Sequence, residues 1–193
     1  MERHPTYTLT RRHFAWDIPA RFNIARAVCD RHTGTALITL DAAGAPVPVS
    51  FATLRDMACR LANALIAAGV QPGDRVAILL PQQVETAVAH IAAYRMGAVA
   101  LPMFPLFGPD AIAYRLQDSG ARVIITDADG VAKLDVIAPP LVISVDGRGD
   151  GVMGFQGQVH RLRQRTPGLR PPHRPEPGHP VPHRPRLRQH ARR

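Results

Sequence analysis

Residues Val70–Asp127 read VQPGDRVAILLPQQVETAVAHIAAYRMGAVALPMFPLFGPDAIAYRLQDSGARVIITD. Turn chemistry cuts this stretch into strand, helix, strand, helix, strand. Pro72-Gly73-Asp74 marks a turn. Arg75 to Leu80 then runs apolar with almost no alternation, the pattern of a strand covered on both faces. Pro81 stops it. Val84, Ala87, Val88 and Ile91 recur at helical spacing, with Gln83, Glu85 and His90 between them, and Gly97 supplies a helix stop. Ala98 to Leu101 predicts a second strand, closed by Pro102. Gly108-Pro109-Asp110 opens another helix, since proline suits the first helical position and an acid suits the positive end of the dipole. Ile112 and Leu116 share its face, Ser119-Gly120 ends it, and Arg122 to Thr126 is the third strand. Strands alternating with helices imply parallel strands joined by crossovers. The expected class is α/β, a partial doubly wound parallel sheet with flanking helices.

Upstream, Phe22 to Arg31 predicts a helix with Ile24, Ala27 and Val28 on one face. Ala36 to Leu40 and Val47 to Ser50, separated by the turn Asp41-Ala42-Ala43-Gly44, predict a hairpin. Ser50 is placed to cap a long helix. Leu54, Ala58, Leu61, Leu65 and Ala68 make the cleanest apolar stripe in the chain, and Gly69 closes it. Downstream, Gly130 to Ile137 predicts a short helix and Leu141 to Val145 a last strand.

The charge is divided unevenly. Residues 1–150 hold 14 Lys+Arg against 14 Asp+Glu, so the net charge of +9 lies wholly in residues 151–193, with ten Arg against Glu176. Those last residues also hold 8 Pro and 5 His and show no sustained apolar period. So little apolar surface cannot offset the entropy of ordering, and a disordered basic tail is expected. The domain reading is therefore an extension at 1–20, a folded unit at 21–150 and the tail at 151–193. The N-terminus lacks the apolar core of a secretory signal, and no apolar run reaches membrane-spanning length. Cys29 and Cys59, the only cysteines, form no CxxC pair and read as buried thiols. A cytoplasmic protein is the expectation.

Apparent motifs reduce to bland readings. Gly149-Asp150-Gly151-Val152-Met153-Gly154 spells G-x-G-x-x-G, but the acid it needs, Glu176, lies in a proline-rich run unfit for a central strand. Arg148-Gly149-Asp150 is an adhesion tripeptide by spelling only. His160, His173, His179, His183 and His190 lack acidic or thiol partners that would fix a metal. The tail arginines suit non-specific polyanion binding; no aromatic after Phe155 is present to stack on bases, so no specific nucleic-acid recognition is expected. Glu85, His90 and Arg95 do not read as a catalytic trio, because Glu85 and His90, five apart on a helix, do not share a face well; the reading is a solvated helix surface. Lys133, the only lysine, reads as a surface residue. No catalytic or metal-binding residue is assigned.

GDRVAILLPQ at Gly73–Gln82, AAYRMGAVALPMFPLFGPDAIAYRLQDSGARVIIT at Ala92–Thr126 and FNIARAVCDRH at Phe22–His32 resemble the N-terminal subdomain of AMP-forming acyl-CoA synthetases, most closely the acetate and medium-chain ligases. The resemblance runs from about Phe22 to Val145 and rests on the length and order of the matching phrases. It implies a ligase that joins a small carboxylate to ATP as an acyl-adenylate and then passes the acyl group to CoA, with ATP, Mg²⁺ and CoA as its cofactors. In some acetyl-CoA synthetases a basic pair after the strand matching Arg122–Thr126 contacts CoA. Here only Lys133 stands in that region, displaced, and it is the one CoA-surface candidate. The family's Ser/Thr/Gly-rich phosphate loop, its Pro-Lys-Gly ending and its adenylating lysine have no counterpart in the 193 residues. The resemblance thus implies an incomplete ligase, inactive by itself, and a frameshift between about Asp150 and His160 would explain the change in composition. A non-catalytic module binding a partner or lipid-like ligand is the alternative, and a basic-tailed binder of anionic surfaces the second.

Overall fold

The computed structural model describes residues 11, 14–16, 19–134, 141–147 and 152–155. The first helix, α1 (Arg26–Asp30), is wound as a π-helix. Strands β1 (Thr35–Leu40) and β2 (Pro46–Ser50) form the expected antiparallel hairpin, with Thr35 opposite Ser50 and Leu40 opposite Pro46. Asp41 shapes its turn: the carboxylate accepts from the amides of Ala43 and Ala45. Helix α2 (Phe51–Ala67) follows directly. The Ser50 hydroxyl accepts from the Thr53 amide at 3.0 Å, satisfying one of the donors that a helix start leaves free.

The remaining elements are β3 (Arg75–Leu79), α3 (Val84–Met96), β4 (Val99–Pro102), α4 (Pro109–Ser119), β5 (Val123–Thr126), α5 (Ala128–Ala132), β6 (Leu141–Ser144) and β7 (Val152–Gly154). Their five strands form one parallel sheet in the order β4-β3-β5-β6-β7. Alternate side chains of the central strands feed two cores, as the pleat requires. Val76, Ile78, Leu80, Val123 and Ile125 pack in one core with Leu54, Leu61 and Leu65 of α2 and Val88 and Ala92 of α3. Ala77, Leu79, Ile124 and Val142 pack in the other with Ile112 and Leu116 of α4 and Leu134. Covered on both faces, β3 and β5 are apolar throughout except at Arg75, which opens β3, and Thr126, which closes β5. Among the described residues no helix is long and apolar enough to cross a membrane.

At the amino end of the sheet, Arg75 closes the packing. Its guanidinium donates to the carbonyls of Ser119 at 2.7 Å and Gly120 at 2.8 Å, placing a cation at the negative end of α4. Gly120 itself has φ +59°, which a side chain tolerates poorly, and a Cβ there would lie 3.0 Å from Arg75 Nη2.

Several expectations change. Cys29 of α1 and Ala25, its N-cap, are buried, while Ile24 before the helix and Val28 within it are exposed, because π winding shifts the buried side from the α-helical register. Ala68 is exposed, since it is the C-cap of α2 rather than part of its stripe. The short helix ends at Ala132, and Ile137 lies outside the described residues. Beyond the boundary set at Asp150, β7 adds a parallel strand and Phe155 is fully buried in the first core. Composition concealed this, because the strand is only three residues long. Val152–Gly154 is thus the last strand of the sheet among the described residues, not the turn into a helix that a dinucleotide fingerprint requires. The tail reading for 156–193, its five histidines included, lies outside the described residues.

Candidate functional site

In open parallel sheets, ligands bind outside the carboxyl ends of the strands, where the strand order reverses. Here β3 is followed in sequence by β4 on one side and has β5 on the other. The reversal therefore lies between the ends of β3 and β5, at Leu79 and Thr126, which are register partners. Thr126 is fully buried, and its hydroxyl donates to the Leu79 carbonyl at 2.9 Å. This bond stitches the two strand ends together.

The loops around that point are tightly built. Asp127 caps α5, its carboxylate accepting from the Gly130 amide at 2.8 Å. Asp146, beyond β6, accepts from the Ala128 amide at 2.7 Å. The Met103 amide donates to Ile78 and the Val145 amide to Thr126. Gly130 lies so close to β5 that a Cβ on it would fall 1.7 Å from Thr126 Oγ1. Lys133 is half-buried, and its ammonium donates to the Pro105 carbonyl at 2.5 Å, tying α5 to the loop after β4. The surface position expected for Lys133 is thus replaced by a structural strut. The carbonyl it needs lies 28 residues away in sequence, so no local pattern could announce it.

Beside this edge a cleft of about 750 Å³ opens between the hairpin and the start of α3. Leu37, Ile38 and Leu40 form one wall; Gln82, Thr86 and His90 form the other. The His90 Nδ1 lies 2.8 Å from the Thr86 carbonyl, which can only accept, so a hydrogen bond between them requires the Nδ1–H tautomer.

Glu85, His90 and Arg95 do not form one solvated face. Arg95 is half-buried and pairs with Asp30 of α1. Burial, the largest single influence, works against its charge, but the hydrogen bond to Asp30 and the smaller charge interactions with Cys59, Asp30 and Cys29 together outweigh it and raise its pKa above the ordinary value. Its Nε is buried with no hydrogen-bond partner. Asn23 secures the same corner by donating to the Tyr94 and Arg95 carbonyls at the end of α3. Cys29 is buried and Cys59 half-buried; burial chiefly, then the nearby Asp30 for Cys29, pushes the Cys29 thiol up. Burial, the largest influence, pushes up Cys59 as well. Neither thiol is activated for nucleophilic work.

At the strand ends the described residues do not form a phosphate cradle. The amides named at the strand ends already serve carbonyls and carboxylates of the fold, and a phosphate cradle needs them free. Among the described residues no three His, Cys, Asp or Glu side chains could together hold a metal.

Comparison with known proteins gives a consistent picture. The family model for AMP-binding enzymes matches residues 25–181, continuing past Asp150. Acetyl-coenzyme A synthetase of Streptomyces coelicolor is 40% identical over 137 residues, covering 66% of this chain and 21% of the relative. The Escherichia coli K12 enzyme of the same name is 38% identical over 122 residues, covering 60% of this chain and 19% of its own length. An acyl-CoA synthetase crystal structure from Brucella canis superposes with a TM-score of 0.67 at 35% identity, over 72% of this chain and 27% of that one. The chain spans about a fifth of the length of these sequence relatives.

Proposed function

The chain belongs to the AMP-binding enzyme family, and on that premise we propose that it forms the first wall of an ATP-dependent ligase converting a short- or medium-chain carboxylate to its acyl-CoA. The observation that carries this reading is the match over residues 25–181. In this proposal the parallel sheet is scaffold. Thr126, Gly130 and Lys133 set the loops at its carboxyl edge, and Lys133 holds the loop after β4 on the side where CoA would pass. ATP, Mg²⁺ and CoA belong to the assembled enzyme.

By itself the chain lacks the chemistry of adenylate formation. The charge that develops on the phosphates needs several preorganised donors, and removing even one such donor costs roughly 10²–10³ in rate. The sequence contains no Ser-Gly-Thr-Thr-Gly-like run and no Pro-Lys pair, and its sole lysine is bonded to Pro105. Carboxylate-dependent ATP–pyrophosphate exchange by the purified chain, with acetate and hexanoate as substrates, is the test. No exchange above the protein-free blank is expected. Exchange that depends on added carboxylate would overturn this account of which groups the reaction requires.

A further inference from the structure

Away from the sheet edge, Arg21, Arg26 and Arg31 line one recess of about 500 Å³, with Phe22 and Asn23 beside them. All three arginines are exposed, and among the described residues none takes part in an ion pair. Asp30, the carboxylate of α1, is engaged by Arg95 of α3 instead. Residues five apart on an α-helix point about 140° from one another. Helix α1 is wound with the i→i+5 pattern of a π-helix, which sets positions five apart near one another. Its winding therefore puts Arg26 and Arg31 on the same side, opposite buried Ala25 and Cys29. Asn23 makes that floor rigid: its amide group holds the end of α3, and its carbonyl oxygen accepts from the Arg26 amide at 3.2 Å.

We infer that this recess binds a small anion carrying two or more phosphates. Three guanidiniums around one hollow repel each other unless an anion lies among them, and each offers a planar fork of donors matched to phosphate oxygens. One carboxylate would answer only one of them; a pyrophosphate group can bridge them. Phe22, 66% exposed at the rim, offers a ring face to a nucleobase. The ligand is therefore either inorganic pyrophosphate or a nucleoside polyphosphate. The inference does not rest on the ligase reading.

The test is a titration of the full-length ¹⁵N-labelled chain with pyrophosphate and, separately, with ADP, followed by amide shifts. Reading the shifts residue by residue separates this recess from the basic tail. Saturable shifts at residues 21–32 are expected, weakening as salt is added. The double variant Arg26→Gln/Arg31→Gln should bind at least about fivefold more weakly, from the modest worth of exposed charge contacts. Its spectrum should otherwise keep the dispersion of the folded chain, since both side chains are exposed. Phe22→Ala separates the sources. A loss confined to ADP identifies a nucleotide site, and equal binding of both ligands identifies a site for the bare phosphates. Shifts confined to the tail, or an unchanged response in the double variant, would overturn the inference.

Discussion

Replacing Gly130 by alanine should destabilise the chain by about 2–4 kcal/mol, although the same change in an unhindered helix stabilises by about 1 kcal/mol. The new Cβ would fall 1.7 Å from Thr126 Oγ1, 3.0 Å from Thr126 Cβ and 3.3 Å from Asp127 Oδ1. Two adjustments relieve that overlap. Thr126 can rotate, breaking its 2.9 Å bond to the Leu79 carbonyl and leaving buried polar groups unpaired at a cost of about 1–3 kcal/mol. Alternatively α5 can lift from β5, an overpacking response worth about 1–3 kcal/mol. Urea unfolding followed by far-ultraviolet circular dichroism measures the loss. The decisive comparison is a cycle with Thr126→Ala, which removes the oxygen and with it the closest contact. In that background Gly130→Ala should cost less by at least about 1 kcal/mol, since only the milder contacts at 3.0 Å and 3.3 Å remain. Equal costs in both backgrounds, or a stabilised Gly130→Ala, would show that α5 does not rest on Thr126 as described.

Leu61 is fully buried between α2 and the sheet, so Leu61→Ala should cost about 2–5 kcal/mol in the same unfolding assay. A value near zero would mean that α2 does not pack there. Asp30→Asn leaves the Arg95 charge, 23% exposed, facing a neutral partner; a loss of about 1–3 kcal/mol is expected. Arg95→Met/Asp30→Asn should recover part of it, because the uncompensated charge is then gone. The thiols provide a pH test. Cys29 and Cys59 have pKa values raised by burial, so the unfolded chain loses these protons first. Their contribution to stability is complete below the ordinary thiol pKa and is lost as pH rises above it. Urea midpoints should therefore fall on going to alkaline pH, and a Cys29→Ala/Cys59→Ala variant should show a shallower fall.

The alternation of strand and helix was legible because its signals are local. Pro72-Gly73, Pro81, Gly97, Pro109 and Gly120 punctuate the chain where backbone geometry demands them; Gly97 and Gly120 do adopt the left-handed conformation at helix ends. Ser50 was legible as a cap and Leu61 as core for the same reason, since capping and apolar period depend on residues within a few turns. The candidate site was less legible. Lys133 and Arg95 looked like surface charges because their partners, Pro105 and Asp30, are far along the chain.

By itself, then, the sequence determined the α/β class, the succession of elements and the two-sided burial of β3 and β5, all of which follow from periodicity and turn chemistry. Only the tertiary structure decided that β3 and β5 meet at Thr126 and Leu79, that Gly130 is pressed against that junction, and that β7 extends the sheet past Asp150. It also decided that α1 winds as a π-helix and so gathers Arg26 and Arg31 on one side. The physical reason is the same throughout. A periodic pattern reports which side of an element avoids water, whereas the partner of a polar side chain, or the seat of a three-residue strand, is fixed by elements that arrive from elsewhere in the chain.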